Sequence, residues 1–246
     1  MTASISKISE DALLDGRVRL LQPAKGYRVA VDPVLLAAAV AAKPGQRALD
    51  LGAGSGAAAL CLLARCAGVR VLGLELDPDM AALARRSAAL NGVEERFQID
   101  TGDAARPAKG ERDAFDHVLM NPPYLEQGRD DAPPGAGRTQ AHMEGEAGLQ
   151  DWIKGALARL KDQGWLTLIH RADRLDAILA ALHGRFGSVE IIPLWPKAGR
   201  PASRVIVRAR KGAKGRASLL PGLVLHREDG AYTEAAEAIL RHAKAL

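Results

Sequence analysis

From Arg47 onward the chain switches back and forth between two hydrophobic periods, and no other feature limits its fold as strongly. Short strand-like runs stand at Ala48–Leu51, Val69–Leu76, Arg96–Asp100, Phe115–Met120, Trp165–Ile169 and Val189–Leu194. Helical stripes separate most of them. Met80, Leu83, Ala84 and Ala88 follow Asp77-Pro78. Leu149, Trp152, Ile153, Ala156, Leu157 and Leu160 make a second stripe, and Leu175, Ile178, Leu179, Leu182 and Phe186 a third. The i, i+3, i+4 spacing marks these side chains as core, Trp152 included. Strands alternating with helices predict βαβ units, hence an α/β fold with a mostly parallel sheet covered on both faces. Val189–Trp195 and Ser203–Arg210 have only Pro196–Ala202 between them, too short for a crossover, which predicts an antiparallel pair at the sheet edge.

Upstream the pattern is weaker. Residues 1–16 read as a loose arm and Arg17–Gln22 as a short strand. Asp32-Pro33 opens a helix to Ala42, with Asp32 as N-cap and Pro33 in the first turn. The core domain is expected over residues 45–246 and an arm with a cap segment over 1–44. Thr233–Ala245 reads as a packing helix. Leu125–Gly145 is long, rich in Gly, Pro and Asp, and without period, which suggests a lid or a disordered stretch.

Several function classes are disfavoured early. The longest apolar run, Val34–Ala42, is about half of what a membrane span needs. No signal peptide is visible. Cys61 and Cys66 lie five apart on different helix faces, and no Cys/His cluster has zinc spacing. The expectation is a reduced, cytoplasmic protein without a metal.

Two motifs carry chemistry. Leu49-Asp50-Leu51-Gly52-Ala53-Gly54-Ser55-Gly56 ends one strand and opens a helix. Gly52, Gly54 and Gly56 let the backbone turn tightly beside a ligand, at the carboxyl ends of the strands where open α/β sheets bind cofactors. The spacing is Gly-x-Gly-x-Gly, not the dinucleotide Gly-x-Gly-x-x-Gly. The next strand ends at Glu75, where an acid can hold two ribose hydroxyls. The one after ends at Asp103, which can accept from an adenine amino group. Asp50 either contacts the ligand or orders the turn. The three strand ends describe an adenosine-sized site.

Asn121-Pro122-Pro123-Tyr124 follows the fourth strand. Two prolines remove two N–H donors and leave carbonyls facing a cleft. The Asn121 side-chain oxygen and the Pro122 carbonyl are a pair of acceptors matched to an NH2 group. Such a pair exposes the lone pair of a conjugated amine, so positioning and electrostatics supply most of the catalysis. Tyr124 is placed to stack on a flipped base.

Together these motifs resemble class I S-adenosylmethionine-dependent methyltransferases of the Asn-Pro-Pro-Tyr type, which methylate amino groups. The resemblance implies a Rossmann-like sheet of seven strands with an antiparallel edge strand, and S-adenosylmethionine as cofactor. Asp50, Gly52, Gly54, Gly56, Glu75, Asp103 and Asn121 would bind that cofactor. Leu14–Pro23, Gly26-Tyr27-Arg28, Asp32–Ala37, Gly199–Val205 and Leu225–Thr233 look like the bacterial tRNA(Val) adenine-N6 methyltransferases. By that likeness Tyr27, Arg28 and Asp32 line the methionine or substrate side. Related families act on guanine N2 in rRNA or on a release-factor glutamine amide, and the Asn121–Pro122 acceptors would serve those amino groups too. A nicotinamide-dependent oxidoreductase is the alternative of a different class.

Charge points to the partner. The formal net charge of +5 is uneven. Lys197, Arg200, Arg204, Arg208, Arg210, Lys211, Lys214 and Arg216 fall in one stretch that holds no acid. This stretch is the expected phosphate-binding face for a structured RNA, tRNA first, with Lys197, Arg200 and Arg204 as contacts. The short flanks of the core suggest a minimal enzyme acting on an accessible RNA loop.

Overall fold

A computed structural model describes residues 7–25, 28–106, 112–123 and 148–246. Strands β3 (Arg47–Leu51), β4 (Arg70–Glu75), β5 (Phe97–Thr101), β6 (Phe115–Met120), β7 (Leu160–Arg171), β8 (Phe186–Lys197) and β9 (Arg204–Lys211) form the expected sheet of seven. Their order across it is β5-β4-β3-β6-β7-β9-β8. All neighbours are parallel except β9, which runs antiparallel to both β7 and β8. The antiparallel strand therefore lies one place in from the edge. Two short strands the sequence did not announce, β10 (Ser218–Leu219) and β11 (Leu223–His226), add to β8 in parallel.

Alternation along each strand divides the interior into two cores. Ala48, Leu119, Ile169 and Ile206 face one side, packed with α1 (Asp32–Ala39), α2 (Ala57–Arg65), α3 (Pro78–Leu90) and α6 (Glu234–Leu240). Leu49, Leu51, Val118, Met120, Leu168 and Val207 face the other, against α4 (Leu149–Arg159) and α5 (Leu175–Leu182). Both faces are covered, as parallel sheets require.

The amino-terminal part corrects the sequence reading. Residues 8–13 are not a loose arm: β1 (Ile8–Leu13) pairs antiparallel with β2 (Val18–Pro23). Its exposure alternates between exposed and half-buried, so the strand gains little from burial and its sequence looks like a polar tail. Leu14, Val18 and Leu20 are buried in the first core. Side chains of α3 fasten the hairpin: Ser87 Oγ accepts from Leu21 N, and Asn91 bonds both the N–H and the carbonyl of Arg19. Gln22 is buried, accepts from Val29 N and donates to Asp11, tying the chain on either side of residues 26 and 27. The N-cap of α1 is Val31 rather than Asp32, and the helix ends at Ala39. Leu125–Gly145 lies outside the described residues.

Candidate active site

Strand register brings the motifs to one level. Leu51 pairs with Met120 on one side and Leu74 on the other, and Glu75 pairs with Thr101. Gly52, Glu75, Gly102 and Asn121 therefore stand together at the carboxyl edge of four adjacent strands. This is the crevice where open α/β sheets bind ligands.

The glycine turn is held from below and beside. Gly52, Gly54 and Gly56 all have left-handed φ, at 75°, 54° and 92°. At two of them space is also closed: a Cβ on Gly52 would overlap the Trp152 ring, and one on Gly56 would lie 2.8 Å from the Phe97 ring. Glu75 joins the turn to the second strand end. Its Oε2 accepts from Gly54 N at 2.7 Å and its Oε1 from Asp77 N at 2.9 Å. Burial pushes its pKa upward against these two donors. Asp50 lies beneath, fully buried, with Oδ2 accepting from Ala59 N at 3.1 Å in the first turn of α2. Of its two expected roles, this geometry matches ordering the turn. Desolvation raises its pKa to about 7, with the charge of Glu75 adding to the rise.

Asp103 follows β5. Its Oδ1 accepts from Ala105 N at 2.8 Å, while Oδ2 stands 3.6 Å from Arg106 Nε on a side chain still 36% exposed. Leu76, beside Glu75, is 41% exposed, an unusual position for a leucine in this protein.

These residues fit S-adenosylmethionine. The glycine turn brings bare backbone to the crevice, Glu75 and Asp103 offer carboxylates at adjoining strand ends, and Leu76 offers an apolar surface for a planar base. Ser55 Oγ in the turn and Trp152 Nε1 are both buried without a hydrogen-bond partner among the described residues. The sequence does not single out Trp152, because an apolar helix stripe reads as core whatever its end touches.

Asn121, Pro122 and Pro123 leave β6 at this level, Pro122 buried and the other two half-buried. Tyr124 and Tyr27 lie outside the described residues. Arg28 is held by the hairpin: its guanidinium spans both oxygens of Asp11 at 2.6 and 2.7 Å and reaches Ser9 Oγ. Arg204 pairs with Asp32 at 3.1 Å, linking β9 to α1 across the same edge. Lys197 Nζ donates to the Glu228 carbonyl, and Arg200 is exposed in the turn between β8 and β9.

The basic stretch is not one face. β9 carries it from the carboxyl edge to the opposite one, so Arg204 and Arg210 end about 20 Å apart at ~3.3 Å per residue. Lys197, Arg200 and Arg204 stay on the edge that carries Asn121. Arg210 donates to the Gln163 carbonyl and Lys211 pairs with Asp113, both at the far edge. Arg208 pairs with Glu190 and lies over the Trp165 ring. Two arginines the sequence reading passed over, Arg171 and Arg174, replace them at the near edge; Arg171 stands opposite Arg204 in the β7–β9 register.

Comparison with known proteins shows the family. The methyltransferase small domain model matches residues 29–193. A tRNA1(Val) (adenine(37)-N6)-methyltransferase of Porphyromonas gingivalis is 32% identical over 84% of this chain and 84% of its own. A release factor glutamine methyltransferase of Agrobacterium fabrum is 36% identical, over 43% of this chain and 36% of its own. Protein Atu636 of Agrobacterium tumefaciens, described as a predicted O-methyltransferase, superposes with a TM-score of 0.74 at 33% identity, covering 87% of this chain and 98% of that one. The chain belongs to the methyltransferase small domain family and is an S-adenosylmethionine-dependent methyltransferase.

Proposed function

We propose that the protein methylates the N6 amino group of an adenine in a tRNA anticodon loop, in the cytoplasm. The observation that carries this reading is the Asn121-Pro122-Pro123 segment, set one strand from the glycine turn and level with it. An acceptor pair there suits a group with two hydrogens to donate. A hydroxyl acceptor would have only one, which separates this reading from O-methylation. The curated tRNA-modifying relative supports the substrate, and it matches most of this chain where the glutamine-modifying one matches less than half. Among the described residues no helix is long and apolar enough to cross a membrane.

The bound cofactor supplies an electrophilic methyl group. Glu75 holds the ribose hydroxyls and Asp103 accepts from the cofactor's adenine. Asn121 Oδ1 and the Pro122 carbonyl each accept one hydrogen of the target amine, pulling its lone pair out of conjugation. The amine nitrogen would bond the methyl carbon as the methyl–sulfur bond breaks, leaving a neutral thioether, and the resulting cationic amine would give its extra proton to water without a strong base. Tyr124 stacks on the flipped base. Arg171, Arg174, Lys197, Arg200 and Arg204 carry the flanking phosphates, and Tyr27 and Arg28 are assigned to the substrate side by the family resemblance alone.

Incubation with labelled cofactor and, separately, total tRNA, rRNA and release factor tests the reading. Label in tRNA that digests to N6-methyladenosine is expected. Label only in guanosine or in protein would refute it.

A further inference from the structure

Arg159 closes α4 and is fully buried. An arginine at a helix end ordinarily reaches solvent, and burying a guanidinium is costly unless its donors are met. Here two of its bonds go to one loop. Nη1 donates to the Ala104 carbonyl at 2.5 Å and Nη2 to the Asp103 carbonyl at 3.1 Å, with the Gly155 carbonyl at 3.3 Å from Nη1. A planar fork with several fixed donors suits two successive carbonyls in a way a lysine does not. The helix presses on the same loop: a Cβ on Gly155 would collide with the Ala104 carbonyl oxygen. Arg159 and Gly155 thus grip the backbone of residues 103–104 from one side. On the other side Gly102 N donates to the Glu75 carbonyl, fixing the start of the loop.

We propose that Arg159 is the positioning residue for adenine recognition in the cofactor site. The inference rests on the reading that Asp103 accepts from the cofactor's adenine amino group. The Asp103 side chain has one oxygen tied to Ala105 N, so the other can meet a ligand only where the backbone puts it. Arg159 sets that backbone. It touches neither ligand nor reacting atoms, and its effect is read in which purine the site accepts. Adenine presents a donor at C6 and hypoxanthine an acceptor, so a rigid loop favours the first and a loosened loop tells them apart less well.

The test measures affinity for S-adenosylhomocysteine and for S-inosylhomocysteine by calorimetry, on the intact chain. The wild type should prefer the adenine form about tenfold or more, the size of one hydrogen bond to a charged group. Arg159→Met should bring the ratio close to one, and Arg159→Lys should recover part of it. Gly155→Ala loosens the same loop by a different route and should also lower the ratio, which keeps the test open if Arg159→Met does not fold. A folded Arg159→Met or Gly155→Ala with the wild-type ratio would overturn the proposal. Asp103→Ala separates the two layers. If it keeps the wild-type ratio, the reading of Asp103 fails; if it loses the ratio while a folded Arg159→Met keeps it, only the role of Arg159 fails.

Discussion

The Glu75 carboxylate accepts the Gly54 backbone N–H at 2.7 Å. The acid that closes one strand is thereby part of the glycine turn that closes its neighbour, so the proposed cofactor contact and the turn geometry depend on the same atoms. Glu75→Gln should raise the KM for the cofactor about 10–100-fold, because a charge-assisted acceptor becomes a neutral one. The value of kcat at saturating cofactor should change far less. Steady-state kinetics with saturating tRNA reads both, and an unchanged KM would remove Glu75 from the site.

Gly56 precedes α2 with φ at 92° and a Cβ there would lie 2.8 Å from the Phe97 ring. Gly56→Ala should cost about 2–4 kcal/mol, combining left-handed strain with overpacking. Part of this should return in the double variant with Phe97→Leu, since contacting residues are not additive. Urea unfolding of the four proteins measures the coupling; strict additivity would show that the ring is not the obstacle.

Asp50 predicts a pH signature. Its pKa rises from 3.8 in the unfolded reference to about 7 in the fold, chiefly by desolvation. A raised pKa means the folded state binds the proton more tightly, so this contribution is complete below 3.8 and is lost as pH climbs through 7. Asp50→Asn cannot titrate there. The stability of the wild type minus that of the variant should fall across this window and then level, as measured by denaturant titration at several pH values. A difference that rises with pH would mean that Asp50 is held as a carboxylate.

The two halves of the basic stretch should behave differently. Arg200→Glu, at the edge that carries Asn121, should weaken tRNA binding and flatten its salt dependence, leaving cofactor affinity unchanged. Lys214→Glu with Arg216→Glu, at the far edge, should do little. Filter binding over a salt series distinguishes them, and equal losses would mean that RNA wraps both edges.

Much of this arrangement was legible because it is local. The change of hydrophobic period placed β3 to β9 and most of the helices within a few residues. The turns after β3 and β6 had to sit on one edge once the strands were parallel. What escaped was decided by distant partners. Ile8–Leu13 looks like a polar tail until β2 pairs with it. The eight clustered basic residues look like one patch until β9 carries them across the sheet. Arg159 looks like an ordinary charged helix end, and only the fold brings the 103–104 carbonyls to it. The stacking role of Tyr124 and the placement of Tyr27 stay sequence-based proposals.

Asn121 and the Pro122 carbonyl are proposed to prepare an amino nitrogen for methyl transfer. The most direct measurement is single-turnover transfer to tRNA by Asn121→Ala, with cofactor affinity measured on the same sample by calorimetry. The expected rate is lower by about 100–1,000-fold, the usual effect of deleting one preorganised polar group, with cofactor affinity close to that of the wild type. Transfer to adenine N6 at the wild-type rate, or a loss that merely follows weakened cofactor binding, would contradict it.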